Sequence, residues 1–173
     1  MATTSGDKFV SLNESIDKKD FEILNTKTKE TIKVLKGKET ITSEVDEQLL
    51  IHISFTQTVN LRTLLFQSPK SETAPKEILI FTNRNDISFE DAESVKPTQI
   101  ISINQNEIGK QVAVKPFLFN NVHALTIFVK SNFAGTKVTQ IKKFELFGQT
   151  KKTTNMSDFK PVCCCCCQQQ QMK

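Results

Sequence analysis

The stretch FNNVHALTIFVKSNF, residues 119–133, constrains this chain more than any other. Its centre, residues 123–130, holds no Gly or Pro and is rich in strand-forming residues. Side chains of a strand alternate between two faces. Leu125, Ile127 and Val129 therefore share one face, and Ala124, Thr126 and Phe128 share the other. Alternation with apolar residues on both faces describes a strand covered from two sides. Such a strand belongs in the middle of a sandwich layer, with its inner face on the core. Asn120 and Asn121 before it, and Ser131, Asn132, Ala134 and Gly135 after it, supply turn chemistry.

The remaining segments read as its neighbours. Residues 9–12 suggest a short strand, and residues 32–35 a short edge strand guarded by Lys33, Lys36 and Lys38. TSEVDE at 42–47 suggests one capped turn, with Ser43 and Asp46 loosely matching a capping box. Residues 48–55 and 59–67 alternate as two strands, and residues 56–58 are short enough for a tight connection. A loop with Pro69 and Pro75 leads into a strand at 77–83. Residues 83–97, containing FEDAES, read as an acidic irregular loop. Strands follow at 99–104 and at 111–119, the latter broken at Pro116 as on an edge or at a bulge. Between them, residues 106–110 make a turn with Gly109. The last strand, 138–147, breaks strict alternation and ends at Gly148.

About eight strands with frequent turn signals, and no clear amphipathic helix, predict an all-β jelly-roll β-sandwich. An immunoglobulin-type sandwich is the runner-up, but the Cys–Trp–Cys core is missing. The domain is expected over residues 9–160, with a separate low-complexity Cys/Gln tail at 161–173 that is expected to be disordered. All five cysteines lie at 163–167, so a disulfide framework does not build the domain and a reducing compartment fits. The start, MATTSGDKFV, has no apolar signal region, and no apolar run reaches transmembrane length. These features predict a cytoplasmic protein, with the nucleus as a second compartment, and a monomer.

Catalysis finds little support. His52 and His123 are the only histidines, and neither sits at a recognisable spacing from a nucleophile or carboxylate. No Gly-rich phosphate loop, cofactor motif or metal-ligand spacing is present. A net charge of +4 with mixed signs does not make a nucleic-acid stripe. Trp and Tyr are absent, which weakens a sugar site, although 13 Phe leave rings able to stack. The cysteine run offers thiol redox or soft-metal chemistry as a further alternative. Glu90, Asp91 and Glu93 make the 83–97 loop dense in carboxylates. It is expected to be a partner-binding surface, set against a reading in which Phe89 and Ala92 merely pin it down.

Several segments together resemble one family. They are DEQLLIHISFTQTVNL at 46–61, PKEILIFTN at 75–83, SFEDAES at 88–94, FNNVHALTIFVKSN at 119–132, FELFG at 144–148 and TNMSDFK at 154–160, with LNES at 12–15 near the start. In this order they resemble the PITH domain, the C-terminal module of thioredoxin-like proteasome-associated proteins, also found as a stand-alone protein. The resemblance implies a jelly roll similar to galactose-binding domains. It also implies a non-enzymatic module that docks on the regulatory particle of the 26S proteasome. TNMSDFK looks more like the fused subfamily. The CxxC-bearing thioredoxin domain of those relatives has no counterpart in these residues, so their redox chemistry does not transfer.

Overall fold

Alternating sequence becomes strand along most of the chain. The computed structural model describes residues 9–151, apart from 30 and 70. In chain order the strands are β1 (Val10–Ser11), β2 (Glu22–Leu24), β3 (Ile41–Thr42), β4 (Leu49–Gln67), β5 (Pro75–Thr82), β6 (Gln99–Ser102), β7 (Gln111–Ala113), β8 (Val122–Asn132), β9 (Gln140–Ile141) and β10 (Lys143–Thr150). The described residues form one α-helix, α1 (Phe89–Ser94).

The 19-residue β4 ties the two layers together. Its first part pairs with β2 on one side and β8 on the other, and β8 continues to β5 and β6. Its second part pairs with β10 and β7, and β10 continues to β1. All these pairings are antiparallel. The strand changes layer at a large bulge: Ser54 stands opposite Ala124 and Val59 opposite Val122, so residues 55–58 face His123 alone. Extra residues on one strand bend it and sharpen its twist. The expected pair of strands joined at 56–58 is therefore one continuous strand. The polar TQT marks a bend without a reversal.

As its alternation predicts, β8 lies between β4 and β5. Leu125, Ile127 and Val129 enter the main core with Leu49, Ile51, Ile53, Ile78, Ile80 and, from the other layer, Leu61, Leu64, Phe144 and Leu146. Phe66 and Phe144 meet there at 5.0 Å between ring centroids. Phe128 points outward into a second, smaller cluster.

Four local expectations are corrected. Residues Thr31–Lys36 form a 3-10 helix that buries the adjacent Val34 and Leu35, which an alternating edge strand would place on opposite faces. Ser43 caps no helix. It is buried, and its hydroxyl accepts from Thr139 N–H at 2.9 Å, while Asp46 accepts from Asn25 and Gln48. Gly148 does not end the last strand, which runs on to Thr150 with its register shift between Phe147 and Gly148. The 83–97 segment is not irregular throughout, since it contains α1. The break at Pro116 holds: β7 stops at Ala113, and Pro116–Leu118 form a 3-10 turn.

Candidate functional site: an acidic cover and the cleft beside it

The outer face of the β8 layer is built in rows. Cross-strand register sets Leu50, Phe128 and Leu79 in one row and Glu22, His52, Thr126 and Phe81 in the next. Ser54 and Ala124 follow. The first row is apolar and needs a cover. Residues 83–97 supply it: Ile87 and Ala92 are buried on Leu50, Leu79, Phe81 and Phe128, with Phe89 and Val95 packed at the margin. The Phe89 ring stands edge-on to Phe128, with centroids 6.1 Å apart.

A six-residue helix is short for independent stability, so its end is held by side chains. Ser88 Oγ accepts from Asp91 N–H, and the Asp91 carboxylate accepts from Ser88 N–H at 3.2 Å and from its hydroxyl at 2.7 Å. This reciprocal capping box satisfies the first helical N–H groups. The same bonds, first the one from the Ser88 hydroxyl, hold the Asp91 carboxyl below the usual carboxylate range.

The three predicted contact residues therefore do different things. Asp91 caps α1. Glu93 is exposed and accepts from Gln48 Nε2 at 3.0 Å. Glu90 is exposed on the outer side of the helix. Phe89 and Ala92 pin the segment down, and the carboxylates of Glu90 and Glu93 face solvent.

Beyond the cover the outer face turns polar and opens into a cleft of about 640 Å³. Its walls are Lys19, Asp20, Phe21, Glu22, His52, Ser54 and Asn85. His52 is 8% exposed. Its Nδ1 lies 3.1 Å from Thr126 Oγ1, which in turn donates to the Arg84 carbonyl at 2.6 Å. A carbonyl can only accept, so the threonine proton is committed there, and Nδ1–H must be the donor to Thr126. Burial pushes the His52 pKa below its ordinary 6.5, against the opposing pull of Glu22 and Asp86. At neutral pH the ring is thus neutral, with its lone pair on Nε2. Asn85 Nδ2 donates to Ser54 Oγ at 3.0 Å on the cleft wall.

Alternation puts His52 on the less apolar face of its strand, but does not set it beside Glu22 and Asp20, whose segment reaches it through pairing between β2 and β4. His123 is exposed at the bulge, with Nδ1 3.1 Å from Thr58 Oγ1. Among the described residues, no three His, Cys, Asp or Glu side chains gather as a metal site. The cysteine run at 163–167 and the motif at 154–160 lie outside the described residues.

The fold is that of family 32 carbohydrate-binding modules, a jelly-roll β-sandwich. The third such module from a Clostridium perfringens family 31 glycoside hydrolase superposes with a TM-score of 0.58 at 11% identity, covering 80% of this chain and 95% of the module. The family 32 module of C. perfringens NanJ, solved with galactose, gives 0.59 at 5% identity, covering 80% and 98%. At such identities the likeness is one of fold. Sequence relatives are nearer. Thioredoxin-like protein 1 of Schizosaccharomyces pombe is 36% identical over 150 residues, 82% of this chain and 52% of that protein. A PITH domain-containing protein of Drosophila melanogaster is 30% identical over 148 residues, 80% of this chain and 69% of that protein. Human PITH domain-containing protein 1 is 32% identical over 110 residues, 63% of this chain and 51% of that protein. The chain thus spans about half to two thirds of the length of these relatives. The PITH domain model matches residues 2–162, nearly the whole sequence, and the chain belongs to the PITH domain family.

Proposed function

We propose that this chain is a non-enzymatic protein-interaction module that docks on the regulatory particle of the 26S proteasome. The observation that carries the reading is the family match over residues 2–162. Family and fold are both those of binding modules. The reading is supported by a rigid two-layer sandwich that presents one short, anchored acidic helix, a common way for a scaffold to display a contact. In this reading Glu90 and Glu93 belong to the contact rim, and Asp91 keeps the helix in shape.

The test is affinity capture from a cell lysate with the tagged full chain. Three further baits are the chain without residues 161–173, the Glu90→Lys/Glu93→Lys variant and the tag alone. The full chain and the truncated chain are expected to enrich regulatory-particle subunits equally. The charge-reversed chain is expected to enrich them less, with a changed salt dependence, because rim charges act mainly on association. Enrichment no greater than with the tag alone overturns the proteasome reading. Unchanged capture by the charge-reversed chain at several salt concentrations removes α1 from the contact.

A further inference from the structure

We propose that the cleft around His52 receives an arginine side chain of the partner protein. This rests on the interaction-module reading and names the chemistry that the partner must present. The first observation is the ring itself. Its Nδ1–H is committed to Thr126, whose own proton is committed to the Arg84 carbonyl, so the nitrogen left for a ligand is Nε2, a bare acceptor. The second is the company it keeps. Glu22 is its direct cross-strand neighbour, Asp20 lies on the same wall, and Glu22 and Asp86 are the charges that act on the ring. Lys19 is the one cation on the cleft wall.

Acceptors spread around a nearly buried imidazole call for a ligand that is positive and carries several donors. A guanidinium has five N–H groups in a rigid plane and no acceptor, which fits this set; an ammonium presents its donors from a single point. A sugar fits poorly: the one aromatic on the wall, Phe21, is only 7% exposed and has no free ring face on which to stack. An anionic group would meet Asp20 and Glu22.

The titratable side chains on the cleft wall with His52 are Lys19, Asp20 and Glu22 from the β2 side, and the charge of Asp86, from the segment leading into α1, also acts on the ring. Protonation of His52 turns Nε2 from acceptor to donor and adds a positive charge. Binding of a guanidinium should therefore weaken as pH falls below 6.5, the ordinary histidine value, through the lower value of the folded ring.

The experiment is an NMR titration of the full chain with N-acetyl-arginine amide, read at the His52 ring nitrogens and the backbone amides of Glu22, Ser54 and Asn85. Parallel titrations use N-acetyl-lysine amide and methyl galactoside. A saturable shift is expected with the arginine probe, weaker with lysine and absent with the galactoside. Glu22→Gln/Asp86→Asn, with an unchanged melting temperature, should weaken arginine binding about tenfold, the product of two exposed ion pairs. His52→Gln should abolish the pH dependence of whatever binding remains. No saturable shift, an equal response to the galactoside, or undiminished binding in the double variant overturns the inference. The probe titration needs no proteasome, so its failure is separate from a failure of capture.

Discussion

Gly148 is where the two-layer construction is tightest. β10 shifts register there: Phe147 stands opposite Thr63 and Gly148 opposite Leu61, which leaves Arg62 with no residue of β10 opposite it. A Cβ on Gly148 would lie 2.1 Å from the backbone oxygen of Asn60 and 3.0 Å from Leu12 Cδ1. An ordinary carbon–oxygen approach is about 3.3–3.6 Å. The two strands would have to part by about 1 Å, enough to spoil neighbouring ladder bonds whose useful range ends near 3.2 Å. Overpacking of this kind costs about 1–3 kcal/mol, and each ladder bond lost adds about 1 kcal/mol. Gly148→Ala should therefore destabilise by about 3–5 kcal/mol. At about 2–4 °C per kcal/mol for a domain of this size, the melting temperature should fall by about 6–20 °C. Far-UV circular dichroism is the suitable assay, because the chain has no Trp or Tyr for fluorescence. Gly135→Ala is the control. Gly135 has φ +62° but open space around it, so alanine there pays only for the left-handed backbone, about 1–2 kcal/mol. A fall at Gly148→Ala no larger than at Gly135→Ala would refute the steric argument.

Two further outcomes are expected. Ile127→Ala removes a fully buried side chain whose strand neighbours are Ile51 and Ile80; it should cost about 2–5 kcal/mol, and a melting shift of less than a few degrees would displace Ile127 from the core. Ser88→Ala deletes the hydroxyl of the capping box and should lower the urea midpoint by the equivalent of about 1 kcal/mol, with faster amide exchange at Ala92; unchanged exchange would show that α1 is held by Phe89 and Ala92 alone.

The core was legible because alternation is a local signal. Leu125, Ile127 and Val129 declare a face without reference to any other segment, and the structure buries that face. The continuity of β4 was hidden, because Thr56, Gln57 and Thr58 are polar and interrupt the apolar pattern. Yet they include no Gly, Pro or Asn, the residues that a tight reversal needs, and that absence was the available sign of a bulge. At Thr31–Lys36 the sign of a 3-10 helix is similar: Val34 and Leu35 are adjacent, and two neighbours buried together do not fit period two. At α1 the pattern Ser88-x-x-Asp91 is a capping box with Asp in place of Glu, so the helix start was written in the chain but shortened beyond the reach of periodicity.

The candidate site was less legible than the core because it is made by pairing between distant segments. Glu22 reaches His52 only because β2 lies beside the first part of β4, and Thr126 reaches it only because β8 lies on the other side. The same face of the same layer then carries two unlike rows. Leu50, Phe128 and Leu79 demand a cover, and the acidic segment supplies one by spending Phe89 and Ala92 inward and leaving Glu90 and Glu93 outward. Glu22, His52 and Thr126 form the polar row, and beside it the face opens as a cleft instead of being sealed. Cover and cleft therefore lie by register on one face of the same layer. Both surfaces carry carboxylates, Glu90 and Glu93 on one and Asp20 and Glu22 on the other. That convergence follows from how β4 is shared between β2 and β8 and was not visible in the composition of either segment alone.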